Sequence, residues 1–312
     1  MHAKMADMTI VVAGGSGFIG TTLTKRLLAL GHTVVVVGRR APTYTHEQLY
    51  FINCDIAVSP LPYNILERTD AVINLVGRTI FQKWTPETKA AIHASRIDST
   101  KRIVESIAAA ASRPPVFICA SATAFYGDTK EAVADEQSEN GEDFLAHLVA
   151  EWEGEARKAS EYGVRVVLMR TAPVLGHGGM LKAFTKTAPF GFLLNLRKRD
   201  FAMSWIHEED IVNAYIFALQ TNNLQGVVNA AAPESVSSHT FMQTLGRTIH
   251  RRIIGTVPEW LGVFRLGEFY EALTMNSRIA PKRLLDKGFQ FQYPDLESAL
   301  KSLSTIRHPK DR

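Results

Sequence analysis

The stretch VVAGGSGFIG, Val11 to Gly20, limits what this chain can fold into more than any other. An apolar, strand-like run, MTIVVAG, leads into it, and FIGTTLTKRLLALG, with apolar residues at helical spacing, leads out. Gly14, Gly17 and Gly20 recur every third residue through the turn between them. In a strand–turn–helix setting the first glycines allow a tight turn and let the backbone approach a pyrophosphate. The helix N-terminus offers its unpaired N–H groups to that anion, and the last glycine lets helix and strand pack closely. Gly14, Gly15, Ser16, Gly17, Phe18 and Ile19 are therefore read as the phosphate cradle of a dinucleotide cofactor.

A cradle of this kind needs a parallel sheet behind it, and the first half of the chain supplies the pattern. HTVVVVGRR, YFINCDI, DAVINLVG, PPVFICAS and VRVVLMRT read as strands. The first of these is continuously β-branched, as in a strand buried on both faces. Between them lie TPETKAAIHASRIDSTKRIVESIAAAA, a long helical segment with room for a break, and DFLAHLVAEWEGEARKASEYG, a second helix. Thr85-Pro86-Glu87 opens the first of these as a cap followed by Pro in the first turn. Alternating strand and helix with short links predicts an α/β fold: a Rossmann-type, doubly wound parallel sheet. After Gly176 the periodicity fails until IHEEDIVNAYIFALQ, a helix with three acids in its first turn, and GVVNAAAP, a strand. The expected division is a dinucleotide-binding domain over 1–176, completed by about 203–232. A smaller C-terminal α/β lobe takes 177–202 and 233–312, with FQFQY as its one short strand. No internal repeat or low-complexity linker interrupts the chain.

The second strand bears on which cofactor fits. A site for NAD usually places an Asp or Glu about 20 residues past the glycines, to hold the ribose 2′-hydroxyl. This strand ends VVVVGRR instead. Gly38 keeps the backbone open, and Arg39 and Arg40 can clamp a 2′-phosphate through forked, charge-assisted hydrogen bonds. NADP, as NADPH, is the expected cofactor. With 35 basic against 31 acidic side chains, the balance argues against a nucleic-acid partner. The basic run Arg197-Lys198-Arg199 lacks the interleaved aromatics of a single-strand binder. Two cysteines, Cys54 and Cys119, sit in apolar runs and read as reduced thiols. No apolar run is long enough to span a bilayer, and the N-terminal MHAKMADM lacks a signal-peptide core. The expectation is a soluble, cytoplasmic chain with a small-molecule substrate and no membrane partner. Histidines without ligand spacing predict no metal. His207, at a helix start, reads as a structural hydrogen-bonding residue ahead of a base.

SATAFYGDTK, Ser121 to Lys130, contains Tyr-x-x-x-Lys. A phenol assisted by an ammonium needs both groups on one helix face, four residues apart. Gly127 and Asp128 follow the Tyr directly and are turn residues, poorly placed in a helix interior. The pairing of Tyr126 with Lys130 is therefore read as coincidence. Ser121, at the carboxyl end of its strand, and Tyr126 remain candidate catalytic residues, Tyr126 as a proton donor or as a structural residue.

AGGSGFIG, DAVINLVG, WTPETKAAIHASRIDST, SATAFYGD, RTAPVLGHGG, MSWIHEEDI, VNAAAPE and PKRLLDKGFQFQYPDLESAL together resemble an atypical, extended member of the short-chain dehydrogenase/reductase superfamily. The narrower likeness is to its NAD(P)-dependent epimerase/dehydratase-like "epimerase family" branch, some of whose bacterial members carry a cell-division-inhibitor-like label. The resemblance covers nearly the whole chain. It implies that Leu75, Val76 and Gly77 touch the adenosine side of the cofactor and that Pro173 and Val174 border the nicotinamide ribose. It places Arg96 where many relatives carry an active-site Asn, within reach of a phosphate. It makes the C-terminal lobe the substrate-binding part and Ser121 the counterpart of a substrate-binding Ser or Thr. In such relatives the catalytic Tyr-x-x-x-Lys lies on the helix after the fifth strand. Here that helix reads GEDFLAHLVAEWEGEA, with neither residue. The resulting expectation is an NADP(H)-dependent oxidoreductase or epimerase acting by hydride transfer on a small polar, nucleotide-sugar-like substrate. The alternative is an NADP(H)-binding redox sensor with little or no turnover.

Overall fold

The computed structural model describes residues 7–185 and 187–304. Seven strands form the main sheet: β1 (Thr9–Ala13), β2 (Thr33–Gly38), β3 (Leu49–Asn53), β4 (Ala71–Asn74), β5 (Val116–Ala122), β6 (Arg165–Thr171) and β7 (Gly226–Ala230). Their spatial order is β7-β6-β5-β4-β1-β2-β3. Every pairing is parallel. From β1 the chain winds outward to β2 and β3, then returns past β1 to β4 and winds the other way. The carboxyl ends of β1 and β4 therefore flank the switch point, where a crevice opens for ligand.

Both faces of the sheet are covered, which is why its strands lack a polar face. Ile10 and Val12 of β1 face one core, shared with α1 (Phe18–Ala29) and α4 (Glu208–Gln220). Val11 and Ala13 face the other, shared with α2 (Pro86–Ala109) and α3 (Phe144–Arg157). The two-residue period of a strand divides neighbouring side chains between the two cores. α2 runs unbroken for 24 residues. The break allowed for in the sequence does not occur, because Thr85 caps the start by accepting from the Thr88 amide and the apolar positions of the helix stay on one packed face.

A third core lies in the C-terminal lobe, around Trp205, Phe241 and Leu300. Two small sheets frame it: Phe192–Asn195 with Arg252–Thr256, and Ala202–Met203 with Val236–Ser237. FQFQY, read as a strand, is not one. The amides of Gln292 and Tyr293 instead donate to the buried Asp210 carboxylate at 2.7 and 3.0 Å. Phe289 packs back into the core of the sheet domain beside Ile279 and Leu284. Among the described residues no helix is long and apolar enough to cross a membrane.

Candidate active site

The cradle forms where its glycines predict. Gly14 has φ +77°, its amide donates to Val37 O at 2.8 Å, and a β-carbon there would lie 3.0 Å from the Leu75 backbone. Gly20 is the packing glycine: a β-carbon on it would lie 2.5 Å from Gly14 O. Gly17 stands at the N-cap of α1, and no side chain caps that helix. The first-turn amides are thus left for an anion. Gly38 faces open space out to Ser16 Oγ, 4.0 Å from where its β-carbon would lie. Arg39 is 78% exposed and its nearest acid is Asp55 at 3.9 Å; Arg40 is exposed too. Both side chains project into solvent at the end of β2. The donor set and the open cradle fit a dinucleotide with an added phosphate.

A second glycine-rich loop, Gly176 to Gly179, closes on the first. β-carbons on Gly176 and Gly178 would lie 2.6 and 3.1 Å from the Phe18 ring. This contact brings the end of β6 over the cradle and was not legible in the sequence. On the β4 side, Leu75 N donates to Ala13 O at 2.9 Å, and Asn74 Oδ1 accepts from Val76 N at 3.0 Å. Fully buried Asn74 also donates to Thr100 at 2.9 Å, which accepts from Trp152 Nε1 at 2.8 Å. Asn74, Thr100 and Trp152 hold the Leu75–Gly77 turn in place. Asn74 alone had a signal in sequence, as a polar residue ending an otherwise apolar strand.

Arg96 lies against Gly77, its guanidinium carbon 5.3 Å from the centre of the Trp152 ring. Nη1 donates to the carbonyls of Arg78 and Ile92 at 3.1 and 3.2 Å, and no carboxylate pairs with it among the described residues. Burial pulls its pKa down to about 10, so it stays cationic at neutral pH. The cation therefore borders the crevice beside the turn that follows β4.

The roles read for Ser121 and Tyr126 need correction. Both are buried, and both hydroxyls are committed to a polar network inside the protein. Ser121 donates to Glu153 Oε1 at 2.7 Å. Arg170 holds Glu153 with two bonds, 2.7 and 2.8 Å long. Tyr126 donates to Asn229 Oδ1 at 2.7 Å and accepts from Arg170 Nη1 at 2.9 Å. Burial raises the phenol pKa despite the nearby Arg170. Neither residue lines the cleft, so neither is placed to protonate a substrate. Tyr126 ends a 3₁₀ turn, Thr123–Tyr126, and Lys130 sits exposed in a later turn with φ +52°. The two do not share a helix face.

The cleft itself opens at the carboxyl ends of β5 and β6, with a cavity of about 210 Å³. Ile80, Phe81, Leu145, Met203, Phe269 and Leu273 give it apolar walls, with Ala122, Thr123 and Pro173 at the strand ends. Val174 starts the short strand Val174–Leu175 just beyond Pro173, paired with Ile206–His207. Asp143 is the one charged residue on the wall, and its Oδ1 caps α3 by accepting from the Leu145 and Ala146 amides at 2.8 and 3.1 Å. Thr123, Thr171, Ser204, Asn276 and Ser277 add polar groups to this otherwise apolar lining. From α3, Leu145 reaches the cavity while Leu148 and Val149 are buried in the protein. Among the described residues no Tyr, Lys or His lines the cavity.

His207 is structural. Its Nδ1 accepts from the Glu209 amide at 3.1 Å and Nε2 lies 3.0 Å from Ser302 Oγ. Burial lowers its pKa to about 4, which keeps the ring neutral and able to accept at the cap. No cluster of three or more His, Cys, Asp or Glu able to hold a metal occurs among the described residues.

Glycine cradle, switch-point crevice and adjoining cleft are those of a Rossmann-type dinucleotide-binding fold. A profile of the NAD dependent epimerase/dehydratase family matches residues 10–231, and the chain belongs to that family. A Domain of unknown function (DUF1731) profile matches residues 257–303. Within the family the chain is similar to proteins named "epimerase family protein". Mb2239 of Mycobacterium bovis is 37% identical, over 95% of this chain and 97% of its own. YfhF of Bacillus subtilis is 33% identical, over 96% and 99%. A crystal structure of human epimerase family protein SDR39U1 with NADPH superposes with a TM-score of 0.84 at 29% identity, covering 96% of this chain and all of that one.

Proposed function

We propose that this chain is an NADP(H)-dependent oxidoreductase whose substrate is an apolar carbonyl compound. The observation that carries the reading is the mainly apolar cleft at the carboxyl ends of β5 and β6. The bound cofactor supplies the hydride. The cradle amides hold its pyrophosphate, and Arg39 and Arg40 select the form with a 2′-phosphate. Arg96 adds positive charge beside Gly77. Ile80, Phe81, Leu145, Phe269 and Leu273 exclude water and hold the apolar acceptor. Thr123, whose hydroxyl has no hydrogen-bond partner among the described residues, is the group at the strand ends suited to the substrate oxygen. NADPH bound to the human relative supports the choice of cofactor, although other structural neighbours were solved with NAD.

A second reading, an NADP(H)-responsive protein with little turnover, is favoured by the lack of Tyr, Lys or His on the cleft wall. A tuned general acid contributes about 10²–10⁴-fold, so its absence slows an enzyme without abolishing it. NADPH oxidation followed with a panel of lipophilic aldehydes, ketones and enones, alongside sugar nucleotides, separates the readings. Turnover is expected with the lipophilic set. Tyr126→Phe and Lys130→Ala should each leave the rate within about threefold, since neither side chain reaches the cleft. Turnover only with sugar nucleotides, or a hundredfold loss in Tyr126→Phe, overturns the assignment. No turnover with any compound, with NADPH still bound, favours the second reading.

Cofactor choice has its own test. By calorimetry the unmodified chain should prefer NADPH to NADH. Arg39→Ala/Arg40→Ala should cost on the order of 3 kcal/mol of NADPH affinity, roughly 100-fold, and leave NADH binding little changed. Equal affinity of the unmodified chain for the two cofactors contradicts the role of the arginine pair.

A further inference from the structure

The helix Glu259–Leu266 presents its apolar residues the wrong way round for a soluble surface. Trp260 is 71% exposed, Phe264 68% and Val263 43%. At positions i, i+3 and i+4 they share one face. The opposite face is the packed one: a β-carbon on Gly262 would lie 2.4 Å from the Tyr270 ring, and Leu266 packs on a core. Single exposed apolar side chains are ordinary, but three aligned on one helix mark a contact surface.

The charges around this face carry one sign in excess. Glu259, at the start of the helix, and Glu268, just past its end, are each paired with a base, Arg197 and Lys89. The first pairing brings the run Arg197-Lys198-Arg199 to the start of the helix. Lys83 lies over the Phe264 ring, 5.6 Å from its centre. Lys83 at the Phe264 ring and Arg265 in the helix make no ion pair among the described residues, which leaves basic groups beside the aromatic face. This face also adjoins the cleft. Past the turn at Gly267 (φ +61°) the chain runs directly into Phe269 and Leu273 of the cleft wall. The Leu266 carbonyl accepts from the Trp84 amide at 3.3 Å, three residues after Phe81 of the same wall.

We propose that the Glu259–Leu266 helix docks on the surface of an anionic lipid bilayer, Trp260 and Phe264 entering the apolar boundary and the basic groups meeting the headgroups. An aromatic face with cations beside it is the composition of a helix lying in the interfacial plane. This departs from the expectation of no membrane partner; side-chain exposure on a short helix is decided by tertiary packing. A lipid-soluble substrate would then reach the cleft from the bilayer. That last step rests on the proposed apolar substrate, whereas docking does not.

The test uses the full chain and vesicles of phosphatidylcholine, with and without phosphatidylglycerol. Cosedimentation should be at least about tenfold stronger with the anionic vesicles and should weaken as salt is added. Of the four tryptophans only Trp260 is exposed, so a blue shift of the emission reports its entry. Trp260→Ser/Phe264→Ser should lower vesicle binding at least about tenfold, and Lys83→Glu/Arg265→Glu should lower it and flatten its salt dependence. Neither change touches the cradle, so NADPH affinity should stay within about twofold in both and confirm that the variants fold. Failure to bind anionic vesicles, or undiminished binding by the serine variant, overturns the proposal. A concentration-dependent dimer in sedimentation velocity, lost in the serine variant and accompanied by no vesicle binding, assigns the face to a second copy instead. Vesicle binding without turnover of any lipophilic carbonyl refutes the substrate reading and leaves docking standing.

Discussion

Gly17→Val is expected to abolish NADPH binding in a chain that still folds, whereas Gly20→Val is expected to unfold it. The two glycines look alike in the sequence, and the structure separates them. Gly17 has an ordinary φ of −78°, and the nearest atom to an added β-carbon is Gly14 O at 3.2 Å. The branches of a Val there project beside the helix N-terminus, where the pyrophosphate must approach the backbone. At least about 100-fold in affinity should be lost, on the order of 3 kcal/mol. At Gly20 an added β-carbon meets backbone, Gly14 O at 2.5 Å and Gly15 Cα at 2.7 Å. Backbone held by β1 and α1 has no room to yield, so overpacking should cost about 3 kcal/mol or more. Calorimetry and thermal unfolding of both variants check this. NADPH binding retained by Gly17→Val makes the loop a plain turn; a stable Gly20→Val refutes the packing role.

Arg170→Met should be among the most destabilising single changes in the chain. Glu153 is 1% and Arg170 2% exposed, and the guanidinium meets the carboxylate through two bonds. Removing the cation leaves a buried carboxylate with Ser121 and the half-exposed Arg157 as its remaining partners. Breaking such a pair costs about 3–5 kcal/mol, a large share of the roughly 5–15 kcal/mol that holds a domain together. Arg170→Met/Glu153→Leu, which removes both charges, should recover most of the loss. Urea unfolding of each variant measures the outcome. A single variant as stable as the parent, or a double variant no better than the single, rules out the buried pair as the source.

How far the sequence reaches differs between parts of the site. The cradle was legible because a phosphate loop is local: strand, turn and helix are contiguous, and three glycines specify the backbone. The open end of β2 was legible for the same reason, since Gly38, Arg39 and Arg40 are neighbours in the chain. The coincidence of Tyr126 with Lys130 was legible too, because Gly-Asp inside the motif breaks a helix. The fate of Tyr126 was not. Its hydroxyl partners, Arg170 and Asn229, lie on β6 and β7, far away in sequence. Only the parallel stacking of β5, β6 and β7 makes them neighbours.

Sequence by itself therefore determined the sheet, its cofactor crevice and the absence of the Tyr–Lys pair on α3, since each follows from short-range periodicity or residue identity. Tertiary structure decided which polar groups are left for chemistry. Folding carried Ser121 and Tyr126 into a network around Glu153 and lined the neighbouring cleft with apolar side chains from four separate segments. It also turned Trp260, Val263 and Phe264 outward by packing Gly262 on Tyr270. Whether a hydroxyl serves catalysis or satisfies a buried charge, and whether an aromatic ring fills a core or faces solvent, depends on contacts between residues distant in the chain. A one-dimensional pattern does not encode those contacts, because the free energy of burying a group is set by its neighbours in space.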